Sequence, residues 1–234
     1  MNPRVEVVAL DCLMLRLFDD IAEANMPWML AASERLRAVF DTRLIDLVPS
    51  YTTLMVHYDL RALTPGQARE LIAQALLDLS PNTRTGGRCH VLPVWYDLRV
   101  GPELSLLAQR SGLSVAEVIR RHSAREYQVF ALGFAPGFAF MGLVEEVLAA
   151  PRLNTPRKKV AAGSVGIAER QTAAYPAVSP GGWNLIGRTP AKLFDRERDG
   201  YSLMQPGDTV RFEAVSHAEF IRLGGDDTPL EALA

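Results

Sequence analysis

The chain has 234 residues, of which 48% are hydrophobic and 22% charged, and its formal net charge is −2. That composition is ordinary for a globular protein and excludes a disordered chain. The near balance of 25 basic against 27 acidic residues gives no strong field for nucleic acid or an anionic membrane surface.

Glu6, Asp11 and Arg16 interrupt every apolar run at the start, so no leader pattern is read there. No apolar stretch reaches the roughly 20 residues of a bilayer span. Cys12 and Cys89 are the only cysteines. They cannot build a disulfide scaffold or a paired-cysteine metal motif, and reduced thiols in a core or strand fit a reducing cytoplasm.

Residues 4–18, rich in Val and Leu, predict one long strand or a pair. Residues 21–40, dominated by Ala, Leu, Met and Glu, predict a helix. Residues 44–48 and 52–58 predict two strands around the Pro49-Ser50 break. Thr64-Pro65 is a helix start, because the threonine hydroxyl can accept a free backbone N–H and proline fits the first helical position. Ala68, Leu71, Ile72, Ala75 and Leu79 then fall on one face, and Ser80-Pro81-Asn82 ends the helix. Gly86-Gly87 reads as a hinge between domains, and 91–96 as the next strand.

Beyond the hinge, 103–110 and 114–122 predict two short helices, the second opened by a Ser114–Glu117 capping box. Residues 127–134 predict a strand. From Val160 onward Gly, Pro, Ser and Thr punctuate short apolar stretches at 164–168, 175–178 and 183–186, the texture of a barrel or sandwich. Gln205-Pro206-Gly207-Asp208 is a turn before a strand at 209–214.

Two segments concentrate residues able to carry function. Residues 133–143 hold three phenylalanines, three glycines and a proline. Glycine and proline exclude a regular helix there, and so apolar a loop is buried, lines a pocket or packs on a partner. The second segment runs from 154 to 190. Its small residues let backbone N–H groups approach an anion, and Arg157, Lys158 and Arg188 would add charge-assisted bonds to a carboxylate or phosphate. A solvated basic loop beside tight barrel turns is the competing reading.

Several motifs fail. Ala162 stands where a nucleophile elbow around Ser164 needs glycine, and no Gly-Lys-Ser/Thr phosphate loop is present. His57, His90, His122 and His217 show no metal spacing. His122 ends a predicted helix, where a cationic imidazole gains from the helix dipole. A structural cap is therefore its first reading and proton transfer its second. Asp226-Asp227 reads as a solvated tail.

The order of the strings at 133–142, Thr155-Pro156-Arg157, 162–168, Gln171-Thr172, Tyr175-Pro176, 179–183 and 186–190 resembles the KipI-like family. Its members are also named 5-oxoprolinase B subunits or allophanate hydrolase subunit 1. Residues 51–59, His122-Ser123 and Glu126-Tyr127 add to the resemblance. The chain departs from the family pattern at Trp95, Asp97-Leu98-Arg99, Glu169-Arg170 and Ala173-Ala174, and Arg170 adds bulk and charge beside the implied pocket.

The resemblance implies an α+β N-terminal domain, residues 1–87, followed by a mainly-β cyclophilin-like barrel domain, residues 88–234. It implies the B subunit of an ATP-dependent 5-oxoprolinase that opens 5-oxo-L-proline to L-glutamate. Such a protein is active only with a KipA-like (allophanate hydrolase subunit 2-type) partner and a LamB/YcsF-type subunit. Together with the KipA-like partner it resembles the carboxyltransferase part (subdomains C and D) of urea carboxylase. ATP is used by the complex, and no cofactor or metal is bound by this chain alone. Arg157, Gly163, Ser164, Gln171, Thr172, Tyr175 and Arg188 become the substrate-pocket candidates, and Phe138 and Phe140 the partner anchors. His122, Lys158 and Arg188 are the catalytic candidates. An allophanate hydrolase or urea carboxylase-type subunit, or an inhibitor of a sensor histidine kinase, are the alternatives the same resemblance allows.

Overall fold

The stretch that reads as one strand or two is a hairpin. In the computed structural model, which describes residues 3–82 and 87–230, β1 (Arg4–Ala9) pairs antiparallel with β2 (Cys12–Arg16). Contacts divide the chain into two units, Met1–Gly86 and Gly87–Ala234. Gly86 of the Gly86-Gly87 hinge lies outside the described residues.

In the first unit, β3 (Leu44–Pro49) and β4 (Thr53–Tyr58) complete an antiparallel sheet of order β1-β2-β4-β3. Side chains alternate across a sheet, and Leu13, Leu15, Leu54, Val56 and Tyr58 fill its buried face. Helix α1 (Met26–Phe40) packs on β3 and β4 and against α2 (Pro65–Leu76). Helix α1 begins later than the composition of 21–40 predicts, because Pro27 is tolerated only in the first turn. The predicted Thr64 cap is present as a full capping box with Gln67. Helix α2 stops at Leu76, short of the predicted 79. Leu77 is already extended, and the Arg35 guanidinium from α1 takes the Leu77 and Asp78 carbonyls.

Among the described residues of the second unit, seven strands form one sheet of order β12-β9-β10-β7-β6-β13-β5. The strands are β5 (Cys89–Val94), β6 (Glu126–Leu132), β7 (Ala139–Gly142), β9 (Ser164–Ala168), β10 (Gln171–Ala174), β12 (Asn184–Arg188) and β13 (Thr209–Ala214). The sheet nearly closes on itself, because Trp95, just past β5, exchanges backbone hydrogen bonds of 2.9 and 3.0 Å with Arg188 at the end of β12. A separate ribbon joins β8 (Arg157–Val160) to β11 (Ser179–Gly181). Inside the barrel-like sheet lie Tyr127, Val129, Met141, Val165, Ile167, Ile186, Val210 and Phe212. A second apolar cluster, with Phe138, Val160, Tyr175, Trp183 and Leu185, covers the outer face of β12, β9, β10 and β7.

Helices α3 (Leu104–Ser111), α4 (Val115–Ser123) and α5 (His217–Arg222) complete the unit. Ser114 accepts from the Glu117 N–H as predicted, but the reciprocal half of the capping box is missing. The Glu117 carboxylate goes instead to Arg120 and Arg121, at 2.7 and 2.8 Å, whose hydrogen bonds hold it down at about 2. The predicted stretch at 175–178 is a loop after β10, since Pro176 has no N–H to donate to a ladder. Among the described residues no helix is long and apolar enough to cross a membrane.

Candidate functional site

The inner face of the barrel-like sheet carries a closed polar network. His122, at the end of α4, is fully buried and stacks on Phe212 at 4.6 Å. Its Nδ1 accepts from the Tyr96 hydroxyl (2.7 Å) and its Nε2 donates to Thr172 Oγ1 (2.9 Å). Thr172 passes its own hydroxyl hydrogen to the Gly166 carbonyl (3.1 Å), which fixes that direction around the ring. Burial lowers the imidazole to about 3. The expected cationic helix cap is thus corrected: the ring is neutral because burial strips away the solvation a charge would need. Thr172 is likewise buried within this network.

The outer face is built differently. Phe134, Phe138, Phe140, Tyr175 and Trp183, with Arg152, Gly181 and Gly182, line a cavity of about 160 Å³. Phe138 is 1% exposed, with ring centroids of Phe140, Tyr175 and Trp183 at 4.8, 5.2 and 5.7 Å. It is therefore a wall of the cavity, and the accessible ring is Phe134, 62% exposed. Phe134 sits at φ 67°, a left-handed conformation that costs a bulky residue energy. At position 181 only glycine fits, since a Cβ would lie 2.3 Å from the Tyr175 hydroxyl oxygen. Burial pushes the Tyr175 phenol up to about 12, against a backbone hydrogen bond from Trp183 and the nearby charges of Arg152 and Arg157. It stays protonated and able to donate.

Arg157, at the start of β8, is half-buried and ion-paired with Glu103. The other Glu103 oxygen accepts from the Leu185 N–H at 2.9 Å. Ser164 and Arg188 are register partners across β9 and β12 and, alternating with Val165 of the core, belong to the outer face. Arg188 is 1% exposed, so it does not offer its charge to solvent as the basic-loop reading expects. Its Nη1 donates to the carbonyls of Asp226 (2.6 Å) and Thr228 (2.9 Å), and Asp227 accepts from His217 at 2.8 Å. The expected solvated tail at Asp226-Asp227 is therefore tied down. Arg188 Nε and Nη2, Arg157 Nη1 and the Ser164 hydroxyl are buried without a hydrogen-bond partner among the described residues.

Gly163 is required where it stands: its φ is 78°, and a Cβ would lie 2.2 Å from the Thr189 carbonyl oxygen. Gln171 is half-buried at the β10 edge, opposite Gly142. Lys158 is exposed on β8. The structure thus places Tyr175 in the cavity wall, holds Arg157 near enough to act on the Tyr175 phenol by its charge but outside the residues that line the cavity, pairs Ser164 with Arg188 in register, and assigns Thr172 and His122 to the opposite face. Sequence reasoning missed Arg152 and Glu103, which lie outside the family strings and are joined to the site only by the fold.

A family model of the carboxyltransferase domain, subdomain C and D, matches residues 3–204. The 5-oxoprolinase B subunit of Bacillus subtilis (strain 168) is 34% identical over 227 residues, covering 93% of this chain and 95% of that protein. The crystal structure of TTHA0988 matches with a TM-score of 0.77 at 37% identity. It covers 88% of this chain and 40% of that one, so this chain spans less than half of that longer protein. The Kluyveromyces lactis urea carboxylase matches with a TM-score of 0.73 over 93% of this chain and 22% of that one. At 15% identity that is a likeness of fold alone.

Proposed function

Because the chain belongs to the KipI-like family of 5-oxoprolinase B subunits, with their carboxyltransferase subdomains C and D, we propose that it is the B subunit of a cytoplasmic, ATP-dependent 5-oxoprolinase. The carrying observation is 34% identity with a 5-oxoprolinase B subunit along nearly the whole of both chains. The urea carboxylase likeness, at 15%, favours no substrate. In this reading the barrel-like sheet is the family's cyclophilin-like domain, and the complex adds water across the lactam C–N bond while a second water hydrolyses ATP to ADP and phosphate.

The site's chemistry supports a small anionic ligand with a flat ring. Aromatic walls suit the ring. Arg152 and the protonated Tyr175 phenol, both in the cavity wall, suit a carboxylate and an amide oxygen, with the Glu103-paired Arg157 adding positive charge nearby. The Ser164 hydroxyl and Arg188 Nε and Nη2 add donors on the same outer face that have no partner among the described residues. A cavity of about 160 Å³ lies below the roughly 300–1,000 Å³ of sites for drug-sized ligands, so in this reading it is not the ATP site. His122 is neutral and buried on the inner face, so in this reading it is not the base for chemistry at the outer face. In this reading the KipA-like and LamB/YcsF-type subunits supply the base, and the exposed Phe134 beside the cavity is the ring a partner would cover.

The test is ADP release that depends on 5-oxoproline, measured with all three subunits together. Release is expected to vanish when this chain is omitted. Turnover by this chain alone, or an unchanged rate without it, overturns the shared-site reading.

A further inference from the structure

The first unit gathers three metal-ligand side chains that no linear spacing reveals. β2 and β4 are antiparallel neighbours whose register sets Cys12 directly opposite His57, with both side chains on one face. Asp11 precedes Cys12 in the hairpin turn. That turn is pinned to β4 twice: the Tyr58 N–H donates to the Asp11 carbonyl (3.0 Å) and the Tyr58 hydroxyl to the Leu10 carbonyl (2.8 Å). One ligand atom from each of Asp11, Cys12 and His57 lies within 4.8 Å of the others, and His57 Nε2 stands 3.1 Å from Asp11 Oδ2.

These distances suit a tetrahedral ion. With metal–nitrogen and metal–oxygen bonds of roughly 2.0–2.2 Å, the N···O edge of a tetrahedron is about 3.3 Å, so the imidazole and carboxylate need to separate only slightly. Thiolate, imidazole and carboxylate together are the donor set of borderline-soft divalent ions rather than of calcium or magnesium. All three residues are half-buried, which leaves a coordination position open to water. The strand register and the two Tyr58 bonds hold the donors in place before any ion arrives, which lowers the ordering cost of binding.

We propose that Asp11, Cys12 and His57 bind one divalent ion of the zinc class, with water as fourth ligand, and that the ion staples the β1–β2 turn to β4. The inference stands apart from the outer-face site of the second unit and does not depend on the 5-oxoprolinase reading.

Cobalt(II) is the probe, titrated into the full-length, metal-free chain. One equivalent is expected to bind and to give a thiolate-to-cobalt charge-transfer band that zinc(II) then abolishes. Cys12→Ser should remove the band and His57→Gln should weaken binding at least tenfold. Cys89→Ser, which changes the exposed thiol of β5, should leave both unchanged. Circular dichroism checks that each variant is folded. No thiolate band in the wild-type chain, or a band that survives Cys12→Ser, overturns the proposal and leaves Asp11 and His57 as a plain hydrogen-bonded pair.

Discussion

The two faces of the barrel-like sheet treat buried polar groups in opposite ways. On the inner face Tyr96, His122, Thr172 and the Gly166 carbonyl form an unbroken chain of hydrogen bonds, and Tyr127 closes it by donating to the His122 carbonyl at 2.9 Å. On the outer face Arg188, Arg157 and Ser164 keep buried donor atoms with no partner among the described residues. Buried polar groups in folded proteins are nearly always satisfied, and orphaned ones cost energy comparable to a lost hydrogen bond. The inner face is therefore read as architecture, and under the proposed function the outer face is where a ligand or a second chain would complete the bonding. Polar residue type alone does not separate these roles, since both faces draw on the same family strings.

The comparison breaks most readily on the inner face. His122→Ala removes a fully buried ring, orphans the Tyr96 hydroxyl and takes away the donor to Thr172 Oγ1, so it is expected to cost about 3 kcal/mol of unfolding free energy, read by urea denaturation. A cost below about 1 kcal/mol would mean that the network is not structural. Acid gives the next largest effect. The imidazole sits at about 3 when folded against an ordinary 6.5, so between those values the unfolded chain binds a proton that the folded chain excludes. Stability from this group is complete above about pH 6.5 and falls as pH drops, by up to about 1.4 kcal/mol per pH unit. The slope is taken as the difference between the wild-type chain and His122→Gln. Parallel pH profiles for the two would show that the ring is not held neutral.

Arg188 tests the other face. Burial pushes its guanidinium down from the usual range, with Asp226 and Asp227 opposing. An apolar side chain of similar length removes both the desolvated charge and its orphaned donors, so Arg188→Met is expected to shift stability by no more than about 1 kcal/mol. In the reconstituted complex the same variant is expected to lower 5-oxoproline-dependent ADP release at least tenfold. Full activity in Arg188→Met would assign those donors to ordinary solvent and erase the contrast between the faces.

Much of the scaffold is legible in the sequence, because it rests on short-range rules. Period-two apolar residues place β3, β4 and β13, and hydroxyl caps at Thr64 and Ser114 place α2 and α4. The site is legible only in part. Tyr175 and Arg157 stand in the family strings, and Tyr175 lines the cavity while the Arg157 charge acts on its phenol. His122 reads as a charged cap because its partners lie 26 and 50 residues away. Glu103 gives no signal because the arginine it holds is 54 residues distant, and Asp226 gives none because its role is a backbone carbonyl, which no side-chain pattern encodes. Where function depends on contacts of that range, composition and periodicity carry no information.

Phe134 separates the two faces by the smallest effect on folding. Its ring is mostly exposed, touching Phe138 and Tyr175 edge-on at 5.2 and 6.4 Å, and its backbone is left-handed. Glycine relieves that conformation, worth about 1 kcal/mol, but loosens the unfolded chain by roughly 0.5–1 kcal/mol. The two terms nearly cancel, so Phe134→Gly is expected to leave the unfolding free energy within about 0.5 kcal/mol of the wild type. If the ring is the anchor at the cavity mouth, calorimetric titration with the KipA-like protein should show at least tenfold weaker binding, the cost of losing one well-placed aromatic at an interface. Unchanged affinity would return Phe134 to the solvent. A loss of stability above about 2 kcal/mol would place it in the second apolar cluster and extend architecture to the outer face.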